Sequence, residues 1–399
     1  MNSPVNASIG HIINLRRGHD LTQEEMISGN YPVVGSNGII GYHNDFTTKK
    51  PCLTVGRSGS VGKINFFDTD CWAHNTTLYV DDFKGNNPKY VYYLLKNLDF
   101  AYLHSGSVVP SLNRNYIHPL IIPYYSNTFI QQRIASVLSS LDAKIELNNR
   151  INAELESMAK TLYDYWFVQF DFPDKNGKPY KSSGGKMVWN EELKREIPEG
   201  WEVKELNDII TRSGTGLNPR DNFQLGRGTN YYITIRNVKN GKIFFDNSCD
   251  RVDDEALKII DNRSDLQVGD ILFTSIEPVG VTYFIHEKPK NWNINESVFT
   301  IRPNYEIVTS EYLFMLLSST EMKSYTKNVS AGSIHKGIRH TMLKKFKLSY
   351  NNIRIIEQFS QVIGPILKRI NSVNNENTQL CSLRDWLLPM MMNGQVKVD

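Results

Sequence analysis

One glycine-rich segment, residues 56–64, has the residue types that bind phosphate groups. Its glycines and Lys63 resemble the loop that wraps the phosphates of a bound nucleotide. That loop needs four residues between its glycines, and a Ser or Thr after the lysine to bind magnesium. Here five residues separate Gly56 from Gly62, and Ile64 follows the lysine. The spacing therefore predicts a tight turn between two strands and not a nucleotide site.

Other residue patterns that support catalysis or metal binding are missing from the sequence. It contains no GxGxxG, HExxH or GxSxG motif, and its nine histidines lack the spacing of metal ligands. Residues 86–89 lack the second proline and the aromatic residue of an adenine-methyltransferase motif, and they suit the start of a helix better. The four cysteines lie far apart, which predicts neither a disulfide framework nor a zinc site. We therefore expect no active site in this chain; an enzyme with an unrecognised site is the alternative.

Local clusters of basic and polar residues indicate contact with DNA. Residues 327–347 contain six Lys or Arg, two His and no acidic residue, and residues 105–114 also lack Asp and Glu. Basic polar loops follow phosphate groups, and Arg and Asn can read guanine and adenine edges. The alternative is that these loops are only solvated surface. The candidate DNA-binding residues are Arg57, Ser58, Ser60, Lys63, Asn75, Ser107, Asn113, Arg114, Arg236, Ser275, Asn295, Ser333, His335, Lys336 and Arg339.

The composition limits what the rest of the chain can be. With 45 Lys and Arg against 42 Asp and Glu, the net charge of +3 excludes a polycation held on DNA by bulk charge. The 399 residues, 40% of them hydrophobic, suffice for two or three folded domains. The N-terminus lacks the pattern of a signal peptide, and no apolar run is long enough to cross a membrane. We expect a soluble cytoplasmic protein.

An internal repeat with a period near 220 residues organises the sequence. Four collinear pairs of segments share residue types, and their offset drifts only slightly. The pairs are 53–55 with 271–273, 72–78 with 292–298, 90–95 with 312–317, and 105–107 with 331–333. The repeat predicts two similar globular units in which short strands alternate with a helix.

Two long amphipathic stripes follow the two units. The first has residues at alternating spacings of four and three from Ile134 to Trp166, and the second lies 225 positions later. This heptad spacing is typical of a coiled coil, and two matched stripes favour an intramolecular antiparallel pair over two ordinary core helices. Gly364 and Pro365 should start or kink the second helix. The core positions include three asparagines expected to fix the register: Asn148, Asn152 and Asn377.

These patterns predict an α+β protein with an internal pseudo-twofold repeat. Two mixed α/β globular domains are separated by two long helices that form an antiparallel coiled coil. The predicted divisions are a first globular domain 1–128, a long helix 129–167, a Gly- and Pro-rich linker 168–200, a second globular domain 201–352, a second long helix 353–392 and a tail 393–399. Two similar units on a spacer could touch two places on one long object.

At this level the sequence resembles the specificity subunits of type I restriction–modification enzymes. The motifs that carry the resemblance cover almost the whole chain: residues 31–42, 54–62, 105–114, 132–138, 197–201, 383–390 and 393–396. One departure is that residues 201–204, which open the second repeat, have no counterpart in the first. The opening strand of the first unit is therefore in doubt.

The resemblance implies a non-catalytic chain whose two globular domains are target-recognition domains, each reading half of a split DNA site. It also implies two adenine methyltransferase subunits and ATP-driven translocase–nuclease subunits as partners, with S-adenosylmethionine, ATP and magnesium bound by those partners. The alternative is a stand-alone bivalent DNA-binding scaffold or regulator. Residues off the helical seam or at its end could dock partners or only widen the core; these are Leu147, Ile151, Tyr163, Trp386 and 390–392.

Overall fold

The computed structural model describes residues 3–100, 111–330 and 337–397, which form two compact units. Unit 1 consists of Met1–Asn149 and Asn375–Asp399, and unit 2 consists of Arg150–Asn374. Each unit therefore holds part of both long helices. Four candidate DNA-binding residues lie outside the described residues: Ser107, Ser333, His335 and Lys336.

Unit 1 combines short strands with helices of very different length. Its strands are β1 (Val5–Ser8), β2 (Asn14–Arg17), β3 (Tyr31–Gly35), β4 (Gly38–His43), β5 (Cys52–Gly56), β6 (Ile64–Phe67), β7 (Trp72–Ala73), β8 (Thr77–Asp82) and β9 (Ile121–Tyr124). Its helices are α1 (Ile9–Ile12), α2 (Pro88–Lys96), α3 (Arg114–Ile117), the first part of α4 (Thr128–Tyr163) and the last part of the second long helix, Ile353–Met392. One sheet has the order β2-β8-β5-β6, a second has β4-β3-β7, and β1 pairs with β9. Every residue of β5 is buried, as a short apolar run in a central strand requires.

Unit 2 repeats this arrangement and adds two hairpins. Its strands are β10 (Met187–Asn190), β11 (Arg195–Pro198), β12 (Glu202–Glu205), β13 (Ile210–Thr215), β14 (Asn230–Ile233), β15 (Val238–Lys239), β16 (Lys242–Ile243), β17 (Asp250–Val252), β18 (Ile271–Thr274), β19 (Thr282–Phe284), β20 (Trp292–Ile294), β21 (Val298–Pro303) and β22 (Lys347–Tyr350). Its helices are the last part of α4, α5 (Asp254–Ser264), α6 (Ser310–Ser318), α7 (Thr320–Ser330), α8 (His340–Leu343) and the first part of α9 (Ile353–Met392). The sheets β13-β21-β18-β19 and β17-β14-β20 match the two larger sheets of unit 1. The internal repeat is therefore a repeat of topology.

The opening strand of unit 1 is present despite its divergent sequence. β1 pairs antiparallel with β9, Ser8 opposite Ile121, just as β12 pairs with β22, Glu205 opposite Lys347. Pro4 occupies the position before β1 that Trp201 occupies before β12. Backbone hydrogen bonds define this pair of strands, so it forms without the tryptophan that marks the second repeat.

The two long helices pair along the predicted seam. Every residue of the two stripes is buried or half-buried. Within unit 1, Asp142 of α4 forms an ion pair with Arg384 of α9, with N···O 2.9 Å. Within unit 2, Asn152 contacts Asn374. Residue numbers rise along one helix as they fall along the other, which confirms the antiparallel pair and the α+β fold class.

Helix α9 is longer than its internal proline suggests. It begins at Ile353 and is unbroken through Gly364 and Pro365, so the proline does not start the helix. Helix α4 ends in a π-helical turn, Asp164–Val168. In the described parts of the chain, no helix is both long enough and apolar enough to cross a membrane.

The segment predicted as a linker, residues 168–200, contains folded structure. β10 and β11 form a hairpin in it. Phe172 stacks on Tyr180 and on Trp201, with ring centroids 4.9 and 5.2 Å away. Phe170 and Phe172 are buried in the core of unit 2. Burial of these aromatic rings orders a segment whose glycines and prolines suggest only a connection.

Two of the four cysteines form a disulfide that their spacing does not predict. Cys52 is the first residue of β5. Cys71 forms a β-bridge with Thr48, which lies just before β5 in the sequence. The fold thus brings together two cysteines that lie 19 residues apart in the sequence. Cys249 and Cys381 are free thiols. The expectation of no disulfide was wrong because it considered sequence spacing alone.

Candidate nucleic-acid interface

A glycine-rich turn follows β5 in unit 1, as the spacing predicts. The amide of Gly62 donates to the carbonyl oxygen of Gly56 (2.8 Å), and Gly62 has a positive φ of 78°. A Cβ atom at Gly56 would lie 2.0 Å from the carbonyl oxygen of Ser60, so only glycine fits there. The turn places the candidate residues between the two glycines at the end of the central strand.

This turn is hydrogen-bonded to a second predicted segment, which resumes at residue 111. The amide of Leu112 donates to the carbonyl oxygen of Arg57 (2.8 Å). Ser58 and Ser111 form an antiparallel β-bridge. Leu112 itself is fully buried. Unit 1 therefore holds Arg57 and the exposed residues after Leu112 on one surface.

We call the contact between the turn that follows the central strand and the segment that leads into the short helix the junction. Unit 2 builds the same junction from different side chains. The amide of Ile338 donates to the carbonyl oxygen of Ser275 (2.8 Å), and Ile276 forms a β-bridge with Gly337. Ser275 is buried, and its hydroxyl donates to the carbonyl oxygen of Ser297 (2.8 Å). Its side chain therefore supports the junction, while its backbone position matches that of Arg57.

A third segment lies beside each junction, residues 72–78 in unit 1 and 292–298 in unit 2. Here the sequence alignment of the two repeats differs from the structural alignment by one residue. The amide of His74 bonds to the end of β3 (3.0 Å), and the amide of Asn295 makes the equivalent bond to β14 (2.8 Å). The structure thus aligns His74 with Asn295 and Asn75 with Glu296, whereas the sequence alignment pairs Asn75 with Asn295. Asn295 is buried and accepts a hydrogen bond from the amide of Ser297 (3.1 Å), which is a structural role.

Asn75 belongs to a polar cluster that the sequence reasoning missed. Its amide donates to the carboxylate of Asp20, which also pairs with Arg17 at 3.1 Å. The hydrogen bond from Asn75 lowers the pKa of Asp20, and the nearby Arg17 charge acts in the same direction. Arg17 ends β2 beside this junction, and strand pairing places Thr215 at the same position in unit 2, so no repeated basic residue marked it in the sequence.

The second segment of each junction leads into a short helix whose N-cap is a candidate residue. Asn113 caps α3, and its side-chain oxygen accepts from the amide of Asn115 (2.9 Å). Arg339 stands at the same position before α8, and its side chain makes no capping hydrogen bond. Both side chains are exposed. Equivalent backbone positions thus carry an amide in one unit and a guanidinium in the other.

The next position differs as well. Arg114 is exposed, and one guanidinium nitrogen lies 3.5 Å from the carbonyl oxygen of Leu15. His340 takes its place in unit 2, where Nδ1 lies 3.0 Å from the hydroxyl of Ser213 and the ring packs on Phe299. Burial lowers the pKa of His340 to about 4. The imidazole is therefore neutral near pH 7, whereas the arginine is charged.

The remaining candidates are held less directly at the junctions. Lys63 donates to the backbone and side-chain oxygens of Asn37, both at 2.8 Å. Ser58 and Ser60 are half-buried in the turn. Arg236 lies on a 3-10 turn of unit 2 and pairs with Asp250 at 3.5 Å, its side chain 71% exposed.

The three register asparagines lie in the helix pair and are buried. The side-chain amide of Asn148 donates to Asn377 (2.9 Å). Asn152 donates to Asn374 (2.6 Å) in unit 2, and Asn377 donates to Asn149 (3.0 Å) in unit 1. An offset of 225 residues converts the second bond into the third, so the pseudo-twofold repeat extends to individual hydrogen bonds.

Comparison with known proteins agrees with this architecture. The family model for the type I restriction modification DNA specificity domain matches residues 5–157 and 198–380. The MjaIX specificity subunit of Methanocaldococcus jannaschii is 27% identical over 78% of this chain and 69% of its own length. The HindI specificity subunit of Haemophilus influenzae is 24% identical over 67% of each chain. The crystal structure of a type I S subunit from M. genitalium shares the fold, with a TM-score of 0.65 and 17% identity over 98% of this chain and 96% of that one. This chain belongs to the family of type I restriction–modification DNA specificity subunits.

Proposed function

We propose that each unit reads one half of a bipartite DNA site. The observation that carries this proposal is the repeated junction, in which one backbone arrangement presents Arg57, Asn113 and Arg114 in unit 1 but Arg339 and a neutral histidine in unit 2. Arg and Asn side chains distinguish bases by paired hydrogen bonds. Two frames with unlike side chains suit two unlike half-sites.

The helix pair is the spacer between the two half-sites. Its length and its asparagine hydrogen bonds set the gap, because a slipped register would leave buried amides without partners. Half-sites about one helical turn of DNA apart would face the same side of the duplex. Asn148, Asn152 and Asn377 are the residues to which we assign this role.

The chain itself is non-catalytic in this proposal and recruits its chemistry. Two adenine methyltransferase subunits and translocase–nuclease subunits are the partners, and they bind S-adenosylmethionine, ATP and magnesium. Adenine methylation would proceed on a base flipped into the partner's pocket. Leu147 and Trp386 on the long helices are 49% and 55% exposed and could dock such partners. Tyr163, Met391 and Met392 are buried and widen the cores instead.

Methylation-sensitive sequencing of genomic DNA, with and without the gene, tests the proposal. We expect adenine methylation at one split motif, two short halves around a fixed gap, to disappear with the gene. An unchanged methylome in cells that express the partner methyltransferase would contradict it and favour the stand-alone DNA-binding scaffold.

Charge reversal then tests whether the two units read separate halves. Lys336→Glu with Arg339→Glu should weaken recognition of one half-site, and Arg114→Glu should weaken the other. Each lost base contact reduces affinity by about 1–3 kcal/mol. Competition binding with duplexes altered in one half at a time measures this, and equal weakening of both halves by either change would contradict the modular assignment.

A further inference from the structure

A cavity of about 190 Å³ lies in unit 2 at the C-terminal end of α4. Helices α6 and α7, strand β22 and the hairpin of β10 and β11 supply its other walls. An apolar cavity of roughly 150 Å³ binds benzene, so this one has room for a six-membered ring with small substituents. Reading a DNA half-site gives this cavity no role.

Two phenol hydroxyls reach the cavity without a hydrogen-bond partner. Tyr163 and Tyr312 line it and are each 2% exposed, with ring centroids 6.2 Å apart. Within residues 3–100, 111–330 and 337–397, no group forms a hydrogen bond with either hydroxyl. Neither oxygen is completely enclosed, so both open to the cavity. Because a buried hydroxyl without a partner costs stability, the pair points to a bound molecule that satisfies both.

Both hydroxyls carry their proton and can donate it in a hydrogen bond. Burial raises the pKa of each phenol above its usual value, and the negative charge of Glu321 raises it further. A group that sits between the two hydroxyls must therefore accept hydrogen bonds. A carbonyl oxygen has two lone pairs, one for each hydroxyl.

The charged side chains that line the cavity are already paired. One guanidinium nitrogen of Arg195 lies 2.6 Å from a carboxylate oxygen of Glu321, and the ammonium of Lys347 lies 2.8 Å from Glu192. An anion would therefore find no unpaired cation among the lining residues. The second carboxylate oxygen of Glu321 accepts no hydrogen bond from the described part of the chain and is available to an N–H donor. The lining thus suits a neutral molecule with both an acceptor and a donor.

The equivalent positions of unit 1 carry no such pair of free hydroxyls. Leu388, which lies 225 positions after Tyr163, is buried in the unit 1 core. Tyr90 of α2 corresponds to Tyr312 of α6, but the amide of Tyr125 donates to its hydroxyl (2.9 Å). The repeated fold therefore does not require the free hydroxyls, which belong to unit 2.

We propose that this cavity binds a neutral ring with a lactam edge, the chemistry of a pyrimidine base. The ring carbonyl accepts hydrogen bonds from Tyr163 and Tyr312, and the adjacent ring N–H donates to Glu321. Phe167 and Phe346 supply apolar contact for the ring. The site is independent of the DNA contacts proposed above.

Calorimetric titration of the full chain with uracil tests the site. We expect saturable binding of one equivalent. Tyr163→Phe and Tyr312→Phe should each weaken it about fivefold, the net value of one hydrogen bond. Uracil methylated at both ring nitrogens keeps its carbonyls but loses its N–H groups, so it should bind more weakly. Uridine in the same titration shows whether the cavity takes the free base or also a nucleoside.

Tyr90→Phe is the matched control in unit 1. It removes a hydroxyl that accepts a backbone hydrogen bond, so it should lower the urea midpoint and leave uracil binding unchanged. Tyr163→Phe and Tyr312→Phe remove no hydrogen bond within the protein and should not lower the midpoint.

Four results would overturn the inference. Absence of saturable uracil binding, or unchanged affinity in both unit 2 variants, excludes the site. Equal affinity for the methylated uracil contradicts the lactam edge, and tighter binding of benzoate contradicts a neutral ligand. A midpoint lowered as much in the unit 2 variants as in Tyr90→Phe shows that their hydroxyls serve the fold.

Discussion

The two units fasten the start of the same central strand in different ways. In unit 1, Cys52 at the start of β5 forms a disulfide with Cys71. In unit 2 the equivalent residue is Asp270, which directly precedes β18 and accepts two hydrogen bonds from Arg302, at 2.7 and 2.9 Å. Both residues are completely buried. One topology thus tolerates a covalent and an ionic solution at the same interior position.

The side chains at the two junctions differ although their backbone positions match. Arg57 and Ser275 share a backbone position, and so do Asn113 and Arg339, because main-chain hydrogen bonds hold the junctions. At exposed positions such as those of Asn113 and Arg339, the side chain can change without disturbing the fold. Specificity can therefore diverge between the units while the framework that positions it remains the same.

Breaking the ionic fastening should have the largest effect. Asp270→Asn leaves Arg302, whose side chain is 15% exposed, without its bidentate partner. We expect the free energy of unfolding of unit 2 to fall by about 3 kcal/mol, the lower end of the loss when one member of a buried pair is removed, because Arg302 keeps its ion pair with Asp265 at 3.1 Å. Urea denaturation gives the size, and hydrogen exchange locates the loss. A loss spread equally over both units would contradict the comparison.

Acidification should destabilise the junction of unit 2 more than that of unit 1. The pKa of His340 is about 4 in the folded protein and about 6.5 when unfolded, so the unfolded chain binds more protons between these values. The contribution of the neutral His340 to the free energy of unfolding is therefore fully present above pH 6.5. It is lost as the pH falls towards 4, by about 2 kcal/mol at pH 5. The counterpart of His340 in unit 1 is Arg114, which is exposed. Denaturation at pH 7 and 5 should show the loss in the wild type and a smaller one in His340→Gln; equal losses would refute the assignment.

The helix pair should respond alike in the two units. Asn374→Ala removes the acceptor of Asn152 in unit 2, and Asn149→Ala removes the acceptor of Asn377 in unit 1. Each should reduce the free energy of unfolding by about 1 kcal/mol relative to a control, which is the usual net value of a hydrogen bond. The control, Asn375→Ala, measures the gain in helix propensity at an exposed site. Clearly unequal losses would show that the pseudo-twofold hydrogen bonds differ in strength.

The smallest effect is expected at an exposed ion pair of unit 1. Arg16 and Asp81 lie 3.0 Å apart, but their side chains are 56% and 29% exposed. Asp81→Asn should change the free energy of unfolding by less than about 1 kcal/mol, because water screens the pair. The same denaturation assay serves, and a loss as large as that of Asp270→Asn would show that burial does not set the ranking.

Periodic features were predictable from the sequence. The heptad stripes identified α4 and α9 and their pairing, because Ile134, Leu138 and their counterparts must be buried on one face. The glycines of residues 56–62 predicted the turn, because Gly56 has no room for a side chain. The repeat predicted two units of one topology. Each of these inferences uses local spacing that packing then enforces.

Features that depend on distant contacts were not predictable. The sequence alignment pairs Asn75 with Asn295, but the backbone hydrogen bonds show that His74 is the structural equivalent of Asn295. The disulfide needs the bridge between Thr48 and Cys71, which no spacing rule contains. Arg236 and Ser275 were chosen for their residue types, yet one pairs with Asp250 and the other is buried.

The division of the chain into units has a consequence for its folding during synthesis on the ribosome. Unit 2 is one continuous segment, Arg150–Asn374, whereas unit 1 closes only with Asn375–Asp399. Leu388, Met391 and Met392 belong to the same core as Ile134 and Leu138. The nascent first domain must therefore wait with its helix face uncovered while residues 150–374 are made, roughly 10–45 seconds at about 5–20 residues per second. The domain synthesised first is the one completed last.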